Sequence, residues 1–171
     1  RGVPFRACLV GGGILLDKHC EVARQLGLED CTAIVGRVPD AYEYLVHADI
    51  FVLPSLEEGS GSVSLLEALQ VGAAVVASRV DGIPEDVTHD ETALLAEPGD
   101  EADLAIALRR LLADPDLRGR IGDAGRRLYR ERFSADAFAA DIARVYTSLG
   151  FAPGPVDVTQ TAAVSAPPKQ P

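Results

Sequence analysis

Five short apolar stretches, most of them bounded by glycine or proline, constrain this 171-residue chain more than any other feature. Arg6 to Val10 runs into Gly11, Gly12 and Gly13, and Cys31 to Val35 stops at Gly36. Asp49 to Leu53 ends at Pro54, Ala73 to Ala77 follows Gly72, and Thr92 to Ala96 precedes Pro98 and Gly99. Each is four to six residues long without polar alternation, the pattern of a strand buried on both faces. Helical patterns separate them. Leu16 to Leu26 is one, a short helix capped by Asp40 and carrying Tyr44, Leu45 and Ala48 is a second, and Ser62 to Val71, with Leu65, Leu66 and Leu69 on one face, is a third. Strands alternating with helices predict a doubly wound α/β domain, a Rossmann-like parallel sheet covered on both sides. In such sheets ligands bind outside the carboxyl ends of the strands. Here that places Gly11 to Gly13, Gly36 and Arg37, Pro54 to Gly61, and Ser78 to Gly82 together.

After the last strand, Asp100 caps a helix with Asp103 in its first turn, and a helical reading continues to Leu149 with breaks at Asp114–Pro115 and near Phe133–Ser134. One domain is therefore expected over residues 1–149. Residues 150–171, rich in Pro and Ala with no strand or helix period, read as a disordered tail or linker.

Charge narrows the partners. A net charge of −10 argues against nucleic acid, which needs a cationic surface, and no apolar run approaches the roughly 18 residues of a membrane span. Between Val38 and Leu108 the only Lys or Arg is Arg79, against fifteen carboxylates, whereas eight arginines crowd positions 109 to 132. The three cysteines, Cys8, Cys20 and Cys31, form no CxxC pair, and His19, His47 and His89 stand apart, so neither a disulfide framework nor a metal site is expected. Reduced core thiols in a cytoplasmic protein are the reading.

The sharpest constellation is Pro54, Ser55, Leu56, Glu57, Glu58, Gly59, Ser60, Gly61 and Ser62, leading into a helix that carries Glu67. From Val63 to Ala77 Glu67 is the one charged residue in fifteen. Desolvating a carboxylate in that company costs several kcal/mol, on the order of the penalty for an unpaired buried ion, unless hydrogen-bond donors meet it. A vicinal diol supplies two. The glycines let backbone N–H groups approach a ligand and leave the helix N-terminus open to a phosphate. The bland reading is an ordinary glycine turn with an acid near a helix start.

The string Pro54 to Ala68, followed by Val71 to Ser78 and then Gly82, Ile83, Pro84 and Glu85, resembles the C-terminal domain of retaining GT-B glycosyltransferases, the large family with sucrose-phosphate, glycogen and mannosyl transferases. The likeness extends over roughly residues 6–148. It implies the donor-binding half of an enzyme that moves a hexosyl group from a nucleoside diphosphate sugar to an acceptor with retention, without a metal or other cofactor. Glu58 would contact donor-sugar hydroxyls, and Glu67 would bind the ribose hydroxyls. Gly59 and Gly61 would offer amides to phosphate or sugar, Gly11 and Gly13 would lie beside the donor, and the loop at Gly36, Arg37 and Val38 would meet the base.

Several departures accompany the likeness. Eight residues, not the usual seven, separate Glu58 from Glu67, which leaves Glu57 and Glu58 both open as the sugar-contacting acid. Ser60 replaces the usual aromatic between the glycines, and Asp81 replaces the first of a glycine pair. The Gly-Arg turn and Lys that neutralise the diphosphate, one strand and helix before Gly11, have only Arg1 to Phe5 in their place. A missing first strand-helix unit, a missing N-terminal acceptor domain and an inactive isolated chain are the expectations. Three alternatives compete. A nicotinamide-binding domain meets Leu16 where its third glycine belongs and Arg37 where its acid belongs. A sugar-nucleotide epimerase shares the fold, and a non-catalytic binding fragment needs no clamp.

Overall fold

The computed structural model describes residues 3–59 and 61–151, so the expected tail beyond Phe151 lies outside the described residues. Two compact units divide the chain, one ending at Phe133 and the other beginning at Ser134.

In the first unit the elements alternate as the sequence predicts: β1 (Ala7–Val10), α1 (Leu16–Gln25), β2 (Thr32–Gly36), α2 (Tyr42–Val46), β3 (Ile50–Leu53), α3 (Val63–Val71), β4 (Ala74–Ser78), α4 (Ile83–Asp86), β5 (Leu94–Ala96), α5 (Glu101–Ala113) and α6 (Pro115–Leu128). All strand pairing is parallel. The sheet is not continuous, however. β1 pairs with β2, and β3, β4 and β5 form a second sheet in that order. These are the neighbours that the second to sixth strands have in the doubly wound order 3-2-1-4-5-6, in which the first strand joins the two groups.

β4 anchors the core, with all five residues buried. Side chains alternate across a strand. Val75 and Ala77 accordingly enter a cluster with Leu65, Ala68 and Leu69 of α3, while Ala74 and Val76 enter another with Ala107 and Leu111 of α5 and Ile121 of α6. Both faces are covered, which is why this strand reads as an uninterrupted apolar run. α2 joins the core through Leu45.

Caps set the helix ends. Asp100 accepts the Ala102 and Asp103 amides at 3.0 Å each, and Asp114 accepts that of Leu117 at 2.9 Å; Ala41, not the expected Asp40, is the N-cap of α2, and the Asp40 carboxylate accepts the Tyr42 amide at 3.0 Å from one residue earlier. Gly72, at φ 78°, ends α3 in the left-handed conformation that glycine adopts freely. α6 approaches this turn so closely that a Cβ on Gly122 would lie 2.3 Å from the Gly72 carbonyl oxygen. Arg126 of α6 donates to the Val71 carbonyl. Three more arginines of the crowded segment also meet main-chain carbonyls: Arg118 that of Leu111, Arg120 that of Asp90 and Arg132 that of Glu85. The run of cations is thus largely fold cement.

Two expectations need correction. Cys8 and Cys20 are exposed and Cys31 is half-buried, so these are not core thiols, because β1 and α1 are covered less completely than apolar composition suggests. α4 forms where the sequence showed only a motif, with Pro84 in its first turn, where a missing N–H costs nothing.

The first unit closes with a π-helical turn over Tyr129–Phe133, in which the Arg132 guanidinium stacks 5.0 Å from the Phe133 ring. In the second unit, Ser134 caps α7 (Ala135–Ser148) by accepting the Ala137 amide at 3.2 Å. No residue of α7 is buried, and Phe138, Ile142, Val145, Tyr146 and Leu149 form an exposed apolar stripe at helical spacing. No helix among the described residues is long and apolar enough to cross a membrane.

Candidate active site

Two sets of loops extend from the carboxyl ends of the strands. In the first, the Gly11 amide donates to the Gly36 carbonyl at 2.8 Å, tying the turn after β1 to the end of β2. Gly11 has φ 144°, and a Cβ on Gly12 would meet Arg37 Cβ at 3.2 Å. Gly12, not one of the two glycines singled out from the sequence, is therefore the close-approach residue of this turn. Gly13 has open space around it, and its carbonyl accepts the Leu16 amide at 3.1 Å to begin α1. Arg37 is exposed and enters none of the ion pairs found among the described residues, while Val38 beside it is half-buried.

The second set gathers the loops after β3, β4 and β5. Ser55 Oγ donates to Glu58 Oε1, closing a turn over residues 55–58. From the loop after β4, Asp81 Oδ2 accepts the amides of both Glu58, at 2.7 Å, and Gly59, at 3.0 Å. Those two N–H groups hold the exposed Asp81 carboxyl below its usual range, the Glu58 amide contributing most. Asp81 has φ 46°, a left-handed backbone open mainly to glycine, asparagine and aspartate. Glycine in the family pattern and aspartate here share that freedom, but only aspartate brings a carboxylate.

Gly59, at φ 72°, and Gly61, at φ 143°, carry the chain into α3 in conformations that side chains oppose. A Cβ on Gly61 would lie 3.7 Å from Asp86 Oδ2. Partial burial raises the Asp86 carboxyl above its ordinary range, against a lowering pull from Arg132. Ser62, buried and extended at the N-cap of α3, shares a hydrogen bond with Ser64 Oγ at 3.0 Å and caps no helix amide with its side chain. Among the described residues no side chain caps the first turn of α3, which presents the positive end of the helix dipole. Glu67 follows one turn later, half-buried between the fully buried Leu65 and Ala68, with no hydrogen bond or ion pair among the described residues.

Arg79, a candidate cation for a diphosphate, instead pairs with Glu97 through its Nε at 3.1 Å. That contact joins the loops after β4 and β5. Beneath it a hollow of about 130 Å³ is lined by Pro54, Ser78, Ala96, Glu97, Gly99 and Leu104, among others. A larger hollow of about 400 Å³ lies at the amino ends of β1 and β2, next to Pro4, Phe5 and Arg6, remote from every loop just described. No hydrogen bond or ion pair joins the Gly11–Val38 loops to the Pro54–Asp100 loops among the described residues. The structure thus brings Glu58, Gly59 and Asp81 together, carries Gly61 and Glu67 on the same loop and the helix after it, and places Gly11, Gly13, Arg37 and Val38 on the loops after β1 and β2. Asp81 is the contact that residue-by-residue reading missed; its substitution for glycine was visible, but its partners lie 22 and 23 residues away.

This architecture is that of the C-terminal domain of GT-B enzymes. HepE of Anabaena, solved with UDP, superimposes with a TM-score of 0.77 at 24% identity, over 84% of this chain and 41% of that one. Sucrose-phosphate synthase from Thermosynechococcus elongatus gives a TM-score of 0.73 at 31% identity, over 84% of this chain and 38% of that one. The family model "Glycosyl transferases group 1" matches residues 1–114, and the chain belongs to that family. Among curated relatives, the lipopolysaccharide core biosynthesis glycosyltransferase LpsD of Rhizobium meliloti is 37% identical over 129 residues, 75% of this chain and 37% of the relative. The chain therefore spans well under half the length of these proteins.

Proposed function

We propose that this chain binds a nucleoside diphosphate sugar and serves as the donor half of a retaining glycosyltransferase that passes a hexosyl group to an acceptor. The observation that carries the reading is Glu67, a carboxylate held half-buried in an otherwise uncharged helix directly after a glycine loop. Paired ribose hydroxyls give such a group the donors that the protein does not. The first turn of α3 adds partial positive charge for a phosphate, and UDP bound to HepE, which shares this fold, supports a nucleotide ligand.

In this reading Glu58, or Glu57 beside it, meets the sugar, Gly59 and Gly61 border sugar and phosphate, Gly11 and Gly13 flank the donor, and Arg37 and Val38 face the base. The donor's own diphosphate helps take the acceptor proton. No protein nucleophile and no metal are called for, and the protein contributes position and charge complementarity. With Arg79 committed to Glu97, the neutralising cations and the acceptor site come from an N-terminal domain of the kind that the longer relatives have room for. A further strand between β1 and β3 would join the two sheets. We place the enzyme in the cytoplasm.

Titration of the chain with UDP, GDP and their glucose and mannose conjugates tests the reading. Glu67→Ala is expected to abolish nucleotide binding, and Glu58→Ala to blunt discrimination between sugars more than nucleotide affinity; equal nucleotide affinity in wild type and Glu67→Ala removes the ribose role. The acid-rich site with one uncommitted arginine also favours a second reading, a fragment that binds donor without catalysis. Donor binding without turnover by a chain rejoined to an acceptor domain would select it.

A further inference from the structure

Two of the places where the sequence leaves the family pattern meet in space. One is the loop that carries an extra residue between Glu58 and Glu67, and the other is Asp81 in place of a glycine. Their meeting is the pair of hydrogen bonds from the Glu58 and Gly59 amides, at 2.7 and 3.0 Å, to a single carboxylate oxygen. Within the loop the Ser55–Glu58 contact is local and fixes nothing outside the turn. Among the described residues, the Asp81 hydrogen bonds are what tie the Glu57–Gly59 segment to the loop of the neighbouring strand.

We infer that Asp81 is a positioning residue of the donor site, a latch that sets the register of Glu57, Glu58 and Gly59 by occupying the two amides at the base of the glycine loop. The inference deepens the donor-binding reading and rests on it for its consequence. A loop one residue longer has more ways to close, and two charge-assisted bonds from a fixed turn remove most of them. It follows that the Glu58 and Gly59 amides serve the latch, leaving the Gly61 turn and the α3 N-terminus to face the donor. The left-handed backbone at residue 81 aims the carboxylate, so that glycine at this position would keep the turn and lose the latch.

The test compares wild type with Asp81→Gly, which keeps the left-handed turn without a carboxylate, and Asp81→Asn, whose amide oxygen still accepts in the same place. Three quantities are read: hydrogen exchange at the Glu58 and Gly59 amides, affinity for UDP, GDP and their glucose and mannose conjugates, and the unfolding temperature. Asp81→Gly is expected to lose protection at both amides and to weaken donor binding by about tenfold, the scale of losing charge-assisted hydrogen bonds, at an unchanged unfolding temperature. Asp81→Asn is expected to stay within about threefold of wild type, since the acceptor geometry survives. Retained protection in Asp81→Gly overturns the latch. Donor affinity that rises in Asp81→Gly overturns it too, because the carboxylate would then be competing with the ligand for the amides. Should wild type bind none of the nucleotides, the donor reading fails, and amide exchange alone still supports or overturns the latch.

Discussion

The β3–β4–β5 half and the β1–β2 half of the first unit have the same local grammar and opposite degrees of completion. In the former, β4 and β5 are buried throughout and helices cover both faces. In the latter, Cys8 and Leu9 of β1 are exposed, α1 has no buried residue, and Val22, Leu26 and Val35 all reach solvent. A parallel sheet is stable when both faces are covered and its central strands have neighbours on each side. Only the three-stranded half meets that condition. The site residues divide the same way. Glu58, Gly59, Gly61 and Glu67 rise from the finished half, whereas Gly11, Gly13, Arg37 and Val38 rise from the unfinished one, so the base-facing end of the proposed donor site is the less firmly held.

The sharpest way to break this comparison is to cut equivalent side chains from each half. Leu65→Ala, fully buried, is expected to cost about 2–5 kcal/mol in urea unfolding, the range for a core leucine, whereas Leu26→Ala in the α1 half should cost no more than about 0.5 kcal/mol. Equal losses would show the β1–β2 half to be as consolidated as the other.

Overpacking gives a smaller and more local effect. Gly122→Ala forces a Cβ against the Gly72 carbonyl, a backbone atom that cannot swing aside, and should cost about 1–3 kcal/mol. Gly119→Ala, three residues earlier in α6 with nothing within 4 Å, should instead stabilise by about 0.5–1 kcal/mol through helix propensity. Opposite signs in one helix, read from paired unfolding midpoints, would confirm that the finished half is packed to contact on the α3 side.

Smallest is a pH effect confined to the finished half. Asp90 binds Arg110 at 2.6 Å, and this bond, more than the nearby charges, holds its carboxyl below the ordinary range. A depressed folded value means that the contribution is present above the unfolded carboxyl pKa and is lost as pH falls through the folded one. Asp90→Asn should therefore narrow the stability difference between neutral and acidic solution slightly, because the pair is partly exposed and screened. Native-state amide exchange at β1 and β2 should be insensitive to that change.

Much was legible before any coordinates. Pro54 to Gly61 and Glu67 stood out because a loop, a helix start and a misplaced charge are local in sequence, and so did the cap at Asp100, set by bonds two and three residues long; Asp114 and Ser134, read as breaks, prove to be caps of the same local kind. Boundaries moved by one or two residues, as at Ile50 and Leu94, since strand ends depend on the partner strand's register. Gly12 escaped notice because its constraint is Arg37, on another loop.

Sequence by itself determined the alternation of strands and helices, the parallel class and the candidate acids, which follow from periodicity and short-range chemistry, and the family likeness, which rests on the motif string from Pro54 to Glu85. Tertiary structure alone decided that the sheet comes in two pieces, that Arg79 is committed to Glu97, that the arginine run serves main-chain carbonyls, and that Asp81 holds the loop of the first candidate acid. The reason is physical: a side chain's partner is set by where distant segments come to lie, and hydrogen bonds and ion pairs act over a few ångströms regardless of how many residues separate their ends.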